Sequence, residues 1–320
     1  MGNELSVSAP GRICLFGEHQ DFLGLAVIAC PIDLTITLTC QARTDRHLAV
    51  HFPDLQDSPR DLIHADRLAE YRHNRDYVRS ATNVLRREGL VLKQGYNITV
   101  HGTIPINAGT SSSSALVVAW TAFLLATQEG DLPRGREDIA RYAHMAEVVE
   151  FEEAGGMMDH YASAVGGLLH IDCREPITVT HLPAKLDGFV LGDSGIPKNT
   201  VGTLRASRDD TRAGLTILKR HVPNFDLQTT SLAEAEQYFP LMPENVRRRV
   251  RANFLNRDLC REARELLSQP TVEDTAKLGR LIYEHQVQLR DGIGVSHPKL
   301  DAMIEAAMEA GALGGKLNGS

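Results

Sequence analysis

The feature that most constrains the fold is a serine-rich stretch that runs directly into a long apolar segment. Residues 105–114 read Pro-Ile-Asn-Ala-Gly-Thr-Ser-Ser-Ser-Ser, and residues 115–125 read Ala-Leu-Val-Val-Ala-Trp-Thr-Ala-Phe-Leu-Leu. The apolar segment has the length of a helix and no polar face, which predicts a helix buried in the core. The serine loop would then lie at the helix N-terminus, where free N–H groups, the positive end of the helix dipole and hydroxyls converge. Such a place suits a phosphate and its metal ion; the alternatives are a serine-rich linker and a multiply capped helix.

A cluster of charged side chains interrupts an apolar region near the N-terminus. Residues 11–22 read Gly-Arg-Ile-Cys-Leu-Phe-Gly-Glu-His-Gln-Asp-Phe, between strand-like residues such as Val7, Ala9 and Val27-Ile28-Ala29. Because charges are costly to bury, this cluster is predicted to face a small polar ligand in a cleft. The alternative is a surface turn punctuated by Gly17 and Gly24.

Composition is typical of a metabolic enzyme. With 320 residues, 42% of them hydrophobic and 23% charged, the chain can bury one large or two moderate cores. A net charge of −7 without a long Lys/Arg run argues against a nucleic-acid partner. The five cysteines include no CxxC pair, which favours reduced thiols in the cytoplasm. No signal peptide is expected before Leu5, and the longest apolar stretch, near 115–126, is too short to cross a bilayer, so no membrane partner is expected.

Periodicity predicts strands over much of the first half and helices over most of the second. The predicted strands are 5–9, 12–16, 26–30, 33–42, 47–52, 96–103, 168–171 and 189–191. The predicted helices lie near 75–89, 114–127, 136–153, 203–221, 231–238, 244–268, 273–290 and 299–310.

The two motifs resemble the first and second signature motifs of the GHMP small-molecule kinases, the family of galactokinase, homoserine kinase and mevalonate kinase. A third resembling segment closes the sequence, where residues 311–320 read Gly-Ala-Leu-Gly-Gly-Lys-Leu-Asn-Gly-Ser. Within the family, Gly-Glu-His-Gln-Asp-Phe at 17–22 is most similar to the galactokinase signature. The resemblance implies an α+β, two-lobed GHMP kinase fold with an N-terminal lobe at 1–180, a C-terminal lobe at 181–320 and the active site in the cleft between the lobes. It also implies ATP and Mg²⁺ as the nucleotide substrate and its metal ion.

The resemblance assigns a catalytic base and its partner. Residues 155–160, Gly-Gly-Met-Met-Asp-His, resemble the Gly-Ile-Met-Asp-Gln of galactokinases, which makes Asp159 the base. Arg12 falls where those enzymes keep a catalytic arginine. A guanidinium there would hold the Asp159 carboxylate ionised and soften the charge of the transferred phosphoryl group. The alternative for Asp159 is a helix N-cap.

The resemblance also implies a nucleotide site and a metal site. The magnesium ligands are expected to be Ser113 and Glu147, or Ser112 or Ser114 in place of Ser113 if the register differs by one residue. Hard oxygen ligands, few in number and completed by phosphates and water, are what Mg²⁺ prefers. Neighbouring Glu150, Glu152 and Glu153 are expected to be solvated. The expected nucleotide-binding residues are Gly109, Ser111, Ser112, Ser113 and Ser114.

A polyhydroxylated substrate fits the remaining polar residues. Those that the resemblance places against the substrate are Glu18, His19, Asp21 and the backbone at Gly156. Paired carboxylates accept hydrogen bonds from vicinal hydroxyls and would repel an anionic substrate, which favours a neutral one. The resemblance implies that this substrate is a sugar, galactose or a related hexose, phosphorylated to its 1-phosphate. The alternatives are a kinase similar to mevalonate kinase, a kinase for another hexose or a uronate, and a non-catalytic sensor of sugar and ATP. The chain is expected to be a monomer or a homodimer.

Several positions depart from the galactokinase pattern without removing a catalytic group. The departures, which indicate a divergent branch, are Cys14 for Asn, Phe22 for Tyr, Asn107 for Gly, Thr110 for Leu and His160 for Gln.

Overall fold

Seven strands form among residues 4–56, 60–196 and 200–319, the part of the chain that this computed structural model describes. They are β1 (Leu5–Phe16), β2 (Val27–Ala42), β3 (His47–His51), β4 (Asp61–His64), β5 (Tyr96–Gly102), β6 (Leu169–Asp172) and β7 (Thr178–His181).

Nine α-helices form in the same described residues. They are α1 (Tyr77–Arg87), α2 (Ser112–Thr127), α3 (Arg136–His144), α4 (Met158–Val165), α5 (Thr200–His221), α6 (Leu232–Glu236), α7 (Glu244–Leu267), α8 (Thr275–Val287) and α9 (Pro298–Glu309). Two π-helical turns, Met145–Val149 and Gln288–Ile293, continue α3 and α8.

The chain divides into two compact units. The first comprises Met1–Ile13 and Pro31–Gly166, and the second comprises Cys14–Cys30 and Gly167–Ser320. This division differs from the predicted boundary at residue 180, and it assigns residues 14–30 to the second unit. The cause is long-range: Val27–Ala29 pair with β6, and Leu25 is buried among residues of α5 and α7. Local sequence patterns do not reveal such partners.

The first unit is a sheet covered by helices. Its strands follow the order β4-β3-β5-β2, with β1 also paired to β2; β3 and β5 are parallel, whereas β5 runs antiparallel to β2. The α2 helix packs against α1, α3 and α4. Its Trp120 and Phe123 side chains are fully buried in the apolar core, as the absence of a polar face on this helix predicts.

The second unit joins a short antiparallel sheet to a set of helices. The first residues of β2 pair with β6, which in turn pairs with β7. Helix α7 packs against α5, α6 and α8. Close approach of α5 and α7 requires Gly214, because a Cβ atom there would lie 2.4 Å from a methyl group of Val250. Leu218, Val250 and Phe254 form the apolar core around this crossing.

One predicted element is wrong, and three elements of the structure were not predicted. The α+β class is confirmed, and α2 follows the serine loop as predicted. The strand predicted at 189–191 is wrong: these residues lie in a segment without regular structure, and Val190 is 94% exposed. Strands β4 and β7 and helix α4 were not predicted, because each is short and has no clear periodicity. Among the described residues, no helix is both long enough and apolar enough to span a membrane.

Candidate active site

The serine loop ends in a tight left-handed turn that delivers the chain into α2. Asn107 and Ser111 both have a φ of 60°, and Gly109 has a φ of 78°. Helix α2 begins at Ser112, so the backbone N–H groups of its first turn belong to the serine run. The predicted combination of a helix N-terminus and hydroxyls is therefore present. Left-handed backbone in two residues other than glycine is strain of the kind that proteins retain at functional sites.

Arg12 and Asp159 meet beside this loop. The Arg12 Nε and Nη2 atoms both lie 2.8 Å from Asp159 Oδ1, and Arg12 Nη1 donates to the Gly109 carbonyl at 2.7 Å. Ser111 Oγ donates to the other carboxylate oxygen of Asp159 at 2.6 Å. The arginine side chain is 4% exposed and that of Asp159 is 29% exposed. A buried guanidinium and a hydroxyl thus hold a carboxylate that solvent can still reach.

Close packing of strand and loop brings Arg12 to this position. A Cβ atom on Gly11 would lie 2.7 Å from the Thr110 carbonyl, so only glycine lets β1 approach the loop. The Arg12 N–H donates to that same carbonyl at 3.2 Å. On the other side, Ser163 of α4 donates to the Pro10 carbonyl at 2.7 Å, which ties α4 to β1.

Asp159 lies within the first turn of α4, and the N-cap of that helix is Met157. The N-cap alternative for Asp159 is therefore wrong. A carboxylate in the first turn is favourably placed relative to the helix dipole. Gly156, which precedes the helix, is partly exposed.

Glu147 lies in the π-helical turn that follows α3. Such turns are frequent at functional sites, and this one places Glu147 in the interior while Val149 is exposed. Burial alone would raise the pKa of Glu147. His160 most of all, together with the nearby Ser113 and Ser114 hydroxyls, more than offsets this effect and holds the pKa of the carboxyl below its ordinary value. The predicted metal ligands Ser113 and Glu147 thus lie near each other, with Ser114 beside them, where α2 packs against this π-helical turn.

Two glutamates expected to be solvated are held by ion pairs instead. Glu150 pairs with Arg87 and accepts a hydrogen bond from Tyr71. Glu153 pairs with Arg75 at 2.6 Å. Both carboxylates therefore anchor the segment that leads to the glycines before α4, and the expectation is wrong for these two. Glu152 is exposed, as expected.

In the second unit, residues 14–16 end β1 and residues 17–21 form the turn that follows; all of them are buried, so the surface-turn alternative for this segment is wrong. Glu18 is 2% exposed and forms an ion pair with Lys316. Its other carboxylate oxygen accepts a hydrogen bond from the Gly319 N–H. Lys316 Nζ also donates to the Cys14 carbonyl at 2.8 Å. The end of the described chain thus fixes the turn.

His19 and Asp21 lie in the same turn. His19 has a left-handed backbone with a φ of 62° and a buried side chain. Asp21 begins a single 3-10 turn, Asp21–Leu23, and its Oδ1 accepts from the Phe22 N–H at 3.0 Å. Both side chains belong to the part of the turn that follows the Glu18 anchor.

Sequence reasoning assigned no role to two residues that organise these clusters. Lys316 lies in the third resembling segment, where the only signal was a single lysine among glycines. His160 was visible as a departure from the galactokinase pattern, and its hydrogen bond to Glu147 could not be foreseen from that.

Comparisons with known proteins agree on one family. Residues 76–167 match the GHMP kinases N terminal domain, residues 2–42 the galactokinase galactose-binding signature, and residues 260–320 the GHMP kinases C terminal family. A galactokinase of Roseiflexus sp. is 31% identical over an alignment that covers 98% of this chain and 80% of the relative. A galactokinase of Haemophilus influenzae is 28% identical over 312 residues, which cover 95% of this chain and 79% of the relative.

Solved structures show the same fold. The crystal structure of Lactococcus lactis galactokinase complexed with galactose has a TM-score of 0.86 at 21% identity. The match covers 99% of this chain and 83% of the Lactococcus lactis chain. Methanococcus jannaschii mevalonate kinase has a TM-score of 0.64 at 18% identity, and the match covers 100% of this chain and 88% of the mevalonate kinase chain. The chain belongs to the GHMP kinases, and its galactokinase relatives make it an ATP-dependent phosphotransferase with a hydroxyl acceptor. Within them it belongs to the galactokinase family.

Proposed function

We propose that this kinase transfers the γ-phosphoryl group of ATP to the anomeric hydroxyl of galactose or a closely related hexose, giving the sugar 1-phosphate. The observation that carries this proposal is the Asp159 carboxylate, which remains partly exposed while Arg12 and Ser111 fix its orientation. A base for a small hydroxylated substrate needs this combination of access and fixed geometry. The names of the relatives support galactose as the sugar.

In the proposed reaction, the sugar oxygen attacks the γ-phosphorus as its proton passes to Asp159. The new bond joins that oxygen to phosphorus, and the bond to the bridging oxygen breaks, so ADP leaves with the electron pair. Arg12 orients the base, and its positive charge favours the negative charge that spreads over the transferred group. The intact pair of Arg12 and Asp159 supports an enzyme over a non-catalytic sensor.

The nucleotide phosphates are proposed to lie on the serine loop. The N–H groups at the start of α2 and the hydroxyls of the serine run are the donors available there. Ser111 is an exception, because its hydroxyl is already donated to Asp159. Its proposed contact with the nucleotide is therefore through the backbone.

The residues at Ser113 and Glu147 fit a magnesium ion. They offer a hydroxyl and a buried carboxylate whose pKa is lowered, and Mg²⁺ is commonly held by one or two protein oxygens together with substrate phosphates and water. No group of three or more His, Cys, Asp or Glu side chains suited to a metal occurs in the described part of the chain. When bound, the ion would neutralise charge on the β- and γ-phosphate oxygens.

The sugar hydroxyls are proposed to contact His19, Asp21 and the backbone at Gly156. A direct contact of Glu18 with the sugar stays a prediction, because both of its oxygens already have partners in Lys316 and Gly319. In either case the ion pair holds the turn that carries His19 and Asp21.

A reducing compartment, the cytoplasm, is proposed for the protein. All five cysteines are free thiols. Burial raises the pKa of Cys40 to about 12 and that of Cys30 to about 11, so neither is a reactive thiolate at neutral pH. The oligomeric state, monomer or homodimer, stays a prediction that analytical ultracentrifugation can check.

A screen of ADP release over galactose, other hexoses, hexuronates and mevalonate tests the proposed function. We expect turnover with galactose or a close epimer and none with mevalonate. Preference for a uronate or for mevalonate would overturn the substrate, and ATP and sugar binding without ADP release would indicate a sensor.

A further inference from the structure

A buried histidine contacts the proposed metal ligand. His160 follows Asp159 in α4 and is 1% exposed. Its Nε2 atom lies 2.8 Å from Glu147 Oε2. A carboxylate that ligates a metal offers only acceptor oxygens, so the histidine nitrogen is the donor in this contact.

The ring of His160 is held from a second direction by His144, the last residue of α3. The two rings pack edge to face with centroids 5.4 Å apart. The Nδ1 atom of His160 is buried without a hydrogen-bond partner among the described residues, so Nε2 makes the one polar contact of this side chain in that region. Rotation of the ring would therefore cost the contact with Glu147 and gain nothing.

We propose that His160 is a positioning residue that fixes the Glu147 carboxylate for Mg²⁺ binding. This inference rests on the proposed function, because it needs Glu147 as a magnesium ligand. Glu147 lies in a π-helical turn, and a hydrogen bond to a carboxylate that ligates a metal fixes the orientation of that carboxylate. The hydrogen bond from His160 supplies that orientation, and the start of α2, which carries Ser113, packs beside the carboxylate that it holds.

Substitutions of His160 can test whether the N–H donor is needed or the imidazole ring as such. A glutamine side chain carries an N–H donor at similar reach, an asparagine carries the same donor on a shorter stem, and a leucine carries none. We expect His160→Gln to behave like the parent, and His160→Asn and His160→Leu to bind Mg²⁺ poorly. A lost charge-assisted hydrogen bond to a buried carboxylate corresponds to about a ten- to hundredfold weaker metal interaction.

The experiment titrates Mg²⁺ at saturating ATP and sugar, and separately measures Mn²⁺ binding to the protein with ADP by electron paramagnetic resonance, which does not depend on turnover. His170→Leu is the matched control, since His170 is another buried histidine, on β6 in the second unit. We expect the metal constant to rise about ten- to hundredfold in His160→Leu, and to stay within about threefold of the parent in His160→Gln and His170→Leu.

Glu147→Gln separates the two ways in which the inference can fail. If Glu147→Gln raises the metal constant and His160→Leu does not, the positioning role is overturned and the metal site stands. If Glu147→Gln leaves the constant unchanged, the metal site is overturned and the inference falls with it. Should His160→Leu not fold, His160→Gln and His160→Asn decide: equal metal constants in these two would refute the role of the donor.

Discussion

Replacing Asp159 with asparagine removes the proposed base while keeping the shape of its side chain. The amide oxygen can still accept from Arg12 Nε and Nη2, both of which lie 2.8 Å from Asp159 Oδ1. The amide nitrogen would take the position of Oδ2 and donate to Ser111 Oγ, which now lies 2.6 Å away and can reverse its role. The substitution therefore keeps the hydrogen bonds and deletes the charge.

The two consequences of Asp159→Asn differ in size. Charged hydrogen bonds contribute roughly 1 kcal/mol more than neutral ones, and partial exposure of Asp159 adds solvent screening, so the free energy of unfolding should fall by about 1–2 kcal/mol. An amide cannot accept the sugar proton, and loss of a general base costs about two to four decades in turnover, or roughly 3–5 kcal/mol in the barrier. The effect on catalysis should thus exceed the effect on stability.

Steady-state turnover, ATP affinity by calorimetry and urea denaturation measure these quantities on one preparation. We expect kcat to fall at least about a hundredfold with ATP affinity within about threefold of the parent. Turnover close to that of the parent would remove Asp159 from the mechanism. A loss of turnover accompanied by a loss of most of the unfolding free energy would show that the pair with Arg12 is structural.

Three further predictions follow from single contacts. Ser111→Gly suits the left-handed φ of 60° and deletes the hydroxyl on Asp159, so kcat should fall about tenfold with an unchanged KM for ATP. A raised KM for ATP in Ser111→Gly would show instead that the Ser111 hydroxyl contacts the nucleotide. Asp21→Asn turns an acceptor into a donor in a buried turn and should raise KM for the sugar by about one to two decades while sparing KM for ATP, and equal effects on both would show that Asp21 supports the fold. Burial, with a contribution from Arg264, lowers the pKa of His170 from 6.5 to about 4, so between these pH values the unfolded state binds a proton that the native state does not. The free energy of unfolding, measured in urea, should therefore decline by up to about 3 kcal/mol as the pH falls from 6.5 to 4. The same dependence of this free energy on pH in His170→Gln would contradict the prediction.

The sequence was informative where a pattern is local. The apolar run 115–125 has helical length and no polar face, and it forms the buried helix α2 with the serine loop at its start. The three residues 189–191 are equally apolar, but a strand needs a partner to accept its hydrogen bonds, and three residues carry no information about a partner. The predicted strand there was wrong for that reason.

The candidate site was predictable in its residues and less so in its contacts. The resemblance named Arg12 and Asp159, and the structure brings them within hydrogen-bond distance although 147 positions separate them. It could not name Lys316 as the partner of Glu18, because that ion pair joins positions 298 apart. The π-helical turn at Glu147 was also hidden, since a side-chain pattern does not reveal one inserted residue in a helical turn.

Phosphorus-31 NMR of the product formed from galactose and ATP with Mg²⁺ is the most direct measurement of the proposed function. We expect the phosphorus of the product to couple to the anomeric proton of the sugar, which identifies a 1-phosphate, and we expect this signal to grow at least about a hundredfold more slowly with Asp159→Asn. Coupling to the C6 protons instead, or ADP formation without any sugar phosphate, would contradict the assignment of this chain as a kinase for the anomeric hydroxyl.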